Sequence, residues 1–328
     1  MYALPLTLIA GMGLAYCLIQ LTGVLRSVRT AQMPKISSEK CDYKLERLEG
    51  YEYIRPLVLA EENCESERYG PLKNEISKLL EGYKTNGALH SASVFFKNLK
   101  SGEWFCLNSD EQYDPGSLIK VPVLISYLRM EENTPGILNG RLKSAALPAQ
   151  KRAAIFTSKA IEPGHAYSIR ELLNYMILYS DNNATSLLLN HINPQTFAST
   201  FTDLGLRPID SNALVYPITA KEYSVFMEAI YNVAYLTIPH SEYADSILSE
   251  SNFKEGLAKG IPAGIKMAHK FGEGGSYQEP QLHESGIIYL SKNPYLVTVM
   301  TKGQDVKKLP EVLGAVSNII YSNMAQAD

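Results

Sequence analysis

The chain is poor in the residues from which redox, metal and nucleotide sites are built. Its 328 residues include four cysteines, one tryptophan and six histidines. Cys17, Cys41, Cys64 and Cys106 form no Cys-x-x-Cys pair, which excludes a dithiol centre or a zinc ribbon of that spacing. The histidines are scattered, and His-Glu-x-x-His is absent. There is no glycine-rich phosphate loop. The net charge is −3 and no basic run is dense enough to track phosphates, so nucleic acid is not an expected partner. No cofactor and no metal are implied. Internal repeats and low-complexity tracts are missing as well.

One long apolar run stands out. Tyr2–Leu25 contains no charged residue, and as a helix it would reach about 36 Å, enough to span a bilayer. The segment is expected to be a single-pass anchor that holds the protein at the cell membrane. A cleaved signal peptide is the alternative, although no basic residue precedes the run and no small-x-small site follows it. Arg26, Arg29 and Lys35 follow the segment, which by the positive-inside tendency places the domain in the cytoplasm. Large domains translocate largely regardless of such charges, and the chemistry described below points to an extracytoplasmic domain. Leu14-Ala15-Tyr16-Cys17 approaches a lipoprotein box, but Tyr16 is too large for the small residue needed before the cysteine. A Cys41–Cys64 disulfide is open in an oxidising compartment; unpaired thiols are the other reading.

With 45% hydrophobic residues, the chain can bury one large core or two modest ones. Residues 26–69 read as a polar linker with one strand-like piece, Tyr51–Leu59, that could dock on the domain. Residues 70–328 read as that domain. Gly70–Tyr83 is amphipathic, with Leu72, Ile76, Leu79 and Leu80 on one face. Ala92–Lys97 and Glu103–Leu107 bracket a Lys100-Ser101-Gly102 turn, a hairpin signal. Helices dominate from Ser117 to Leu236. Strands return at Ile265–Phe271, Gly286–Leu290 and Leu296–Thr301, and a helix closes the chain over Leu309–Tyr321. Strands at both ends with helices between predict one sheet built from both termini, with a helical insertion. A cleft is expected where the two parts meet.

Three short motifs converge on that boundary. They are Ser117-Leu-Ile-Lys120, Ser180-Asp181-Asn182 and Lys270-Phe271-Gly272, in that order. Each alone has a bland reading: a chance Ser-x-x-Lys, a helix cap, a strand end with a turn glycine. Together they assemble acyl-transfer chemistry. A serine hydroxyl needs a base to become a nucleophile, and Ser-x-x-Lys puts an amine one turn away on the same helix face. Pro115-Gly116 before Ser117, and the apolar Val121–Leu128 after Lys120, place the serine near a helix N-terminus, where developing negative charge is favoured. His269, beside Lys270, is expected to serve the core or a strand edge.

On these motifs, and on Glu171-Leu-Leu-Asn, Tyr179-Ser-Asp-Asn-Asn-Ala184 and His283-Glu-Ser-Gly-Ile-Ile-Tyr289, the chain resembles class A β-lactamases and their penicillin-binding-protein relatives over roughly Gly70 to Met324. The resemblance implies an α/β (α+β) fold of the β-lactamase/D,D-peptidase type: an antiparallel sheet flanked by helices plus an all-helical subdomain. It implies that Ser117 is acylated, that Lys120 takes its proton, and that Ser180 passes a proton to the leaving nitrogen. Asn182 would bind the substrate amide, and Lys270, with Gly272 beside it, the substrate carboxylate. The backbone N–H groups of Ser117 and Glu273 would form the oxyanion hole. The implied partner is a small-molecule β-lactam or a peptidoglycan stem peptide, with the membrane engaged through Tyr2–Leu25.

Two departures from the family pattern bear on function. The family carries a loop glutamate between the second and third motifs that activates the deacylating water. Here the corresponding stretch, Leu206–Thr219, contains no glutamate. Glu228 with Asn232 reproduces the i, i+4 spacing, but it lies in Thr219–Leu236, an amphipathic helix capped by Thr219, and is expected on its solvated face. The second departure is Phe271, where the family has Thr or Ser whose hydroxyl helps bind the substrate carboxylate. Glu273 also adds a negative side chain close to that carboxylate. The sequence therefore implies a β-lactamase-like hydrolase with slow deacylation. The alternatives are a D-alanyl-D-alanine carboxypeptidase and a non-catalytic wall-peptide or β-lactam sensor.

Overall fold

The computed structural model describes residues 43–62, 65–144, 156, 159–209 and 215–326. The expected Tyr2–Leu25 anchor, its flanking charges and the Cys41–Cys64 pair lie outside these residues. Among the described residues no helix is long and apolar enough to cross a membrane. The chain divides into Met1–Cys41 and Asp42–Asp328, and every element named below belongs to the second unit.

Strands β1 (Tyr43–Arg47) and β2 (Leu57–Glu62) pair antiparallel ahead of helix α1 (Gly70–Thr85). Strands β3 (Ser91–Asn98) and β4 (Trp104–Leu107) form the expected hairpin. A 3-10 turn over Gly116–Ile119 runs into helix α2 (Lys120–Asn133). A small ladder, β5 (Arg141–Lys143) with β6 (Ala166–Ser168), leads to helices α3 (Ile169–Leu178), α4 (Asn182–Leu189), α5 (Pro194–Thr202), α6 (Ala220–Tyr231) and α7 (Ile238–Ser249). Strands β7 (Met267–Gly275), β8 (Pro280–Ile288) and β9 (Tyr295–Lys302) and helix α8 (Leu309–Gln326) complete the domain.

The main sheet is antiparallel throughout, in the order β4-β3-β9-β8-β7. It is the sheet predicted from strands at both ends of the domain, closed where β3 pairs with β9 from Ser91–Lys302 to Asn98–Tyr295. Side chains alternate between two cores, as the pleat requires. Ala92, Val94, Phe96, Val297 and Val299 join Leu72, Ile76 and Leu80 of α1 and Val312, Val316 and Ile320 of α8. Phe95, Leu296 and Met300 face the helical part with Val121, Leu124, Met176 and Phe226. Each such side chain contributes roughly 1.5–3 kcal/mol when fully buried. Helix α2 is buried on every side from Lys120 to Leu128 because it is the central helix, and Val121, Val123, Leu124, Ile125 and Leu128 are all inaccessible to solvent.

The segment between β1 and β2 is tied to the helical part. Arg55 and Leu57 N–H groups donate to the carbonyls of Tyr231 and Asn232 at the end of α6. The Glu242 carboxylate of α7 accepts from the backbone N–H groups of Glu52, Tyr53 and Ile54. Cys106 is buried, and desolvation together with Glu65 pushes its thiol up to about 11, so it remains a packing residue rather than a nucleophile.

Two strands exceed their sequence reading. β7 continues through the glycine-rich Gly272–Gly275, and β8 begins at Pro280 rather than Gly286. β7 is the sheet edge, so alternate backbone groups along it point away from the ladder, and the Glu273 carbonyl among them faces Gly116.

Candidate active site

The turn that carries Ser117 is wedged against β7. Gly116 has φ +50, and a Cβ on it would lie 1.9 Å from the Glu273 carbonyl oxygen. A Cβ on Gly272 would lie 2.4 Å from the Pro115 oxygen. These two glycines let strand and turn approach to backbone contact, which explains the glycine of the third motif. Asp114 braces the approach: its carboxylate accepts from the N–H groups of Gly116 and Gly275, each at 3.1 Å, and its own N–H donates to Gln281 Oε1. From β8, His283 Nε2 donates to the Asp114 carbonyl at 2.9 Å while Nδ1 accepts from Thr301 N–H. Burial pushes its pKa down to about 3, so the ring stays neutral, and these two bonds select its tautomer. Tyr223 OH donates to the Leu118 carbonyl on the other side of the turn.

Because Ser117 lies in a 3-10 turn, residues three apart eclipse, and Lys120 comes directly beneath it at the first position of α2. Lys120 is 2% exposed. Its Nζ donates to the Ser180 carbonyl at 2.6 Å, to Asn182 Oδ1 at 2.8 Å and to Ser180 Oγ at 3.0 Å. Lys270, fully buried on β7, donates to the same Ser180 Oγ at 2.9 Å and to the Phe271 carbonyl. Ser180 Oγ is thus the point where the three motifs meet. Its two lone pairs accept from the two lysines, which leaves its hydrogen for a third atom.

The electrostatics follow from burial. Desolvation holds the Lys120 ammonium down to about 7, opposed by the negative charges of Asp181 and Glu273. Lys270 is lowered well below the ordinary lysine range by desolvation and then by Lys120 itself, against Glu284 and Glu273. Because both lysines approach one hydroxyl, the charge on Lys120 further disfavours charge on Lys270.

Ser180 and Asn182 owe their placement to Asp181. Ser180 sits at φ +53, an uncommon conformation for a residue with a Cβ. Asp181 caps α4 by accepting from Asn183 and Ala184 N–H, and its Oδ2 also takes the N–H of Ile161. The cap reading of this motif is realised by Asp181, while Ser180 and Asn182 on either side of it meet Lys120. Asp181, Asp114 and His283 carried no role in the sequence reading; the Asp before an apolar helix was a visible capping signal, while the other two depend on contacts across about 170 positions.

Ser117, Lys120, Ser180 and Asn182 line a cavity of about 270 Å³, with Phe156, Phe271 and Glu273 on its other wall. The Glu273 carboxylate accepts from the Phe156 N–H at 2.9 Å. Phe271 stacks on Phe253 at 4.0 Å between ring centroids, and Phe156 meets both rings edge-on. His269 is a core residue as expected, inaccessible and 2.6 Å from Glu284 across the sheet. Among the described residues no His, Cys, Asp and Glu cluster could hold a metal ion.

The two glutamates nearest to the missing loop residue are structural. Glu222 completes a capping box with Thr219, as the helix signal implied. Glu228 does not lie on a solvated face. Its carboxylate is 19% exposed and pairs at 2.6 Å with the Nζ of Lys97 on β3, because α6 packs its flank onto the sheet. A helix-periodic count cannot see a cation arriving from a strand 131 residues away.

The profile of the β-lactamase enzyme family matches residues 71–324. No curated protein sequence matches the chain. Among solved structures, a PBP-A mutant in an acyl-enzyme complex with penicillin G is 20% identical with a TM-score of 0.65, covering 78% of this chain and 97% of that one. A β-lactamase from Chitinophaga pinensis is 18% identical with a TM-score of 0.66, covering 76% and 99%. A class A β-lactamase from Mycobacterium abscessus is 18% identical with a TM-score of 0.64, covering 77% and 99%. The three share this chain's fold.

Proposed function

The chain belongs to the β-lactamase enzyme family, and we propose that it is a membrane-anchored serine hydrolase that forms an acyl-enzyme on Ser117 with β-lactams or related amides and releases it slowly. The observation that carries this reading is the Ser180 hydroxyl held between Lys120 and Lys270 beside Ser117. Neutral Lys120 keeps its two hydrogens on the Ser180 carbonyl and Asn182 Oδ1, and its lone pair takes the Ser117 proton as Oγ attacks the substrate carbonyl. The resulting ammonium donates its new hydrogen to Ser180 Oγ, which lies 3.0 Å from Nζ. Ser180 then gives its own hydrogen to the leaving nitrogen and is refilled from Lys120. Lys270 holds Ser180 in register throughout. The backbone N–H groups of Ser117 and Glu273 receive the oxyanion, and the Asn182 side-chain amide positions the substrate amide.

Slow release is supported by the glutamate-free Leu206–Thr219 and by the engagement of Glu228 with Lys97. The same two features support a D-alanyl-D-alanine carboxypeptidase as the second reading, in which a stem peptide replaces the β-lactam. The test is intact-protein mass spectrometry of the full chain mixed with penicillin G and followed over time. A persistent adduct on Ser117 is the expected result. A transient adduct with accumulating hydrolysed drug would make it an efficient β-lactamase and refute slow release. No adduct with any amide, ester or β-lactam would refute the acyl-enzyme itself.

A further inference from the structure

A second cavity, of about 510 Å³, adjoins the first across the rings of Phe156 and Phe271, which line both. It is nearly twice the size of the catalytic cavity and carries different chemistry. Phe253 continues the aromatic wall, and the rim holds the exposed Lys254, Lys259 and Lys307 with Glu255 and Glu311. Lys259 is paired with Glu255. Lys254 and Lys307 have no ion pair among the described residues, and Lys307 stands just before the first turn of α8, where the helix dipole adds positive potential. Tyr179 lines the second cavity while its neighbour Ser180 lines the first. This sets the polarity of the substrate: the part bonded to the leaving atom, next to Ser180, is the part that enters the second cavity.

The catalytic cavity itself is badly equipped for an anion. Its two lysines are buried, spend their hydrogens on Ser180, Asn182 and Phe271, and are held toward the neutral state. Phe271 offers a ring face where a hydroxyl donor would be useful, and Glu273 brings negative charge to the same wall. Beyond Lys120 and Lys270, the cations that line either cavity without an ion pair among the described residues are Lys254 and Lys307, both on the far side of the shared rings.

We propose that this second cavity is the leaving-group subsite, and that it selects substrates whose leaving group carries a carboxylate beyond a flat or apolar spacer about the length of a benzene ring. The spacer lies against Phe156 and Phe271, and the carboxylate meets Lys254 and Lys307. The subsite rests on the acyl-enzyme reading above, and its test separates the two. The reaction is Ser117–OH plus a thioester giving Ser117–O–acyl plus a thiol: the C–S bond breaks, the C–O bond forms, and the Ser117 proton leaves on sulfur by way of Lys120 and Ser180.

The probes are two N-acetylglycyl thioesters, one of 4-mercaptobenzoate and one of the neutral 4-mercaptobenzamide, scored by adduct mass on Ser117 and by thiol release. The expected ratio of acylation rates, carboxylate over amide, is about tenfold or more in the native protein. It should fall to near one in Lys254→Glu/Lys307→Glu and in the milder Lys254→Ala/Lys307→Ala, whichever folds better by melting temperature. Lys78→Glu/Lys100→Glu makes the same change in net charge on exposed lysines elsewhere and should keep the native ratio. A native ratio near one, or a ratio that survives loss of Lys254 and Lys307, overturns the subsite while leaving the acyl-enzyme intact. Failure of both thioesters to label a protein that penicillin G still labels on Ser117 overturns the subsite alone, and failure of all three overturns the acyl-enzyme reading and the subsite with it.

Discussion

The two ends of the cleft are built on different principles. At the Ser117 end, Lys120, Ser180, Asn182 and Lys270 form a closed polar network beside Ser117, in which Nζ of each lysine has named acceptors and the backbone is locked by glycine contact at Gly116 and Gly272. At the other end, Phe271, Phe253 and Phe156 form an aromatic wall that carries Glu273 on its Ser117 side, and the cations Lys254 and Lys307 stand beyond it. The difference separates two requirements that a motif search merges. Acyl transfer needs fixed proton donors and acceptors within hydrogen-bond reach. Substrate choice needs only complementary shape and charge, and can change while the first set stays.

The comparison breaks first at the nucleophile. Ser117→Ala should abolish covalent labelling by penicillin G altogether, with the melting temperature unchanged because the hydroxyl carries no structural hydrogen bond among the described residues. Residual labelling would place the nucleophile elsewhere. Next in size is Lys120→Met, which should slow acylation by about a thousandfold or more, the scale of losing an activating base. In the native protein the acylation rate should fall about tenfold per pH unit below about pH 7 and level off above it, since only neutral Lys120 can accept the proton. The same depressed pKa makes the unfolded chain the stronger proton binder between about 7 and the ordinary lysine range, so stability should rise with pH across that window. A pH-independent acylation rate would remove Lys120 as the base.

How much of this was legible in the sequence divides along the same line. The motif residues could be read because their chemistry fixes both residue type and local spacing: Ser117 and Lys120 must share a turn, and Ser180 and Asn182 must flank a cap. Helix α1, the β3–β4 hairpin and the sheet made from both termini followed from periodicity and turn residues. Strand β8 was read only from Gly286, because Gln281, His283, Glu284 and Ser285 are polar yet buried and give no apolar alternation. Their partners are Asp114, His269 and Thr298, reached across the sheet or from the turn. The end of β7 hid for a related reason: its glycines mark close backbone approach, and in a sequence glycine reads as a turn. The aromatic wall was half legible. Phe271 was visible as a departure, whereas Phe253 and Phe156 join it only through tertiary packing.

At the aromatic end, Phe271→Thr should place a hydroxyl donor beside Lys270 and raise the penicillin G acylation rate by about tenfold, equivalent to about 1.4 kcal/mol for a charge-assisted hydrogen bond. The gain comes with a loss. Removing a buried ring stacked on Phe253 should lower stability by about 3 kcal/mol. Faster acylation with a lower melting temperature would confirm that the wall trades carboxylate binding for packing. An unchanged or slower rate would mean that the hydroxyl is not what the cleft lacks.

The smallest chemical effect is expected at Glu228, and it sharpens the contrast between chemistry and scaffold. If Glu228 stood in for the missing loop glutamate, Glu228→Gln would lengthen the life of the acyl-enzyme. Its carboxylate instead serves Lys97, whose Nζ is nearly buried between β3 and α6. The substitution keeps the shape and removes the charge, so it should cost about 1–3 kcal/mol of stability by weakening a charge-assisted hydrogen bond, a drop of several degrees in melting temperature for a domain of this size. Acylation and deacylation rates measured by mass spectrometry below that temperature should both stay at native values. A longer-lived adduct in Glu228→Gln would return this residue to the reaction and require α6 to approach the cleft during turnover.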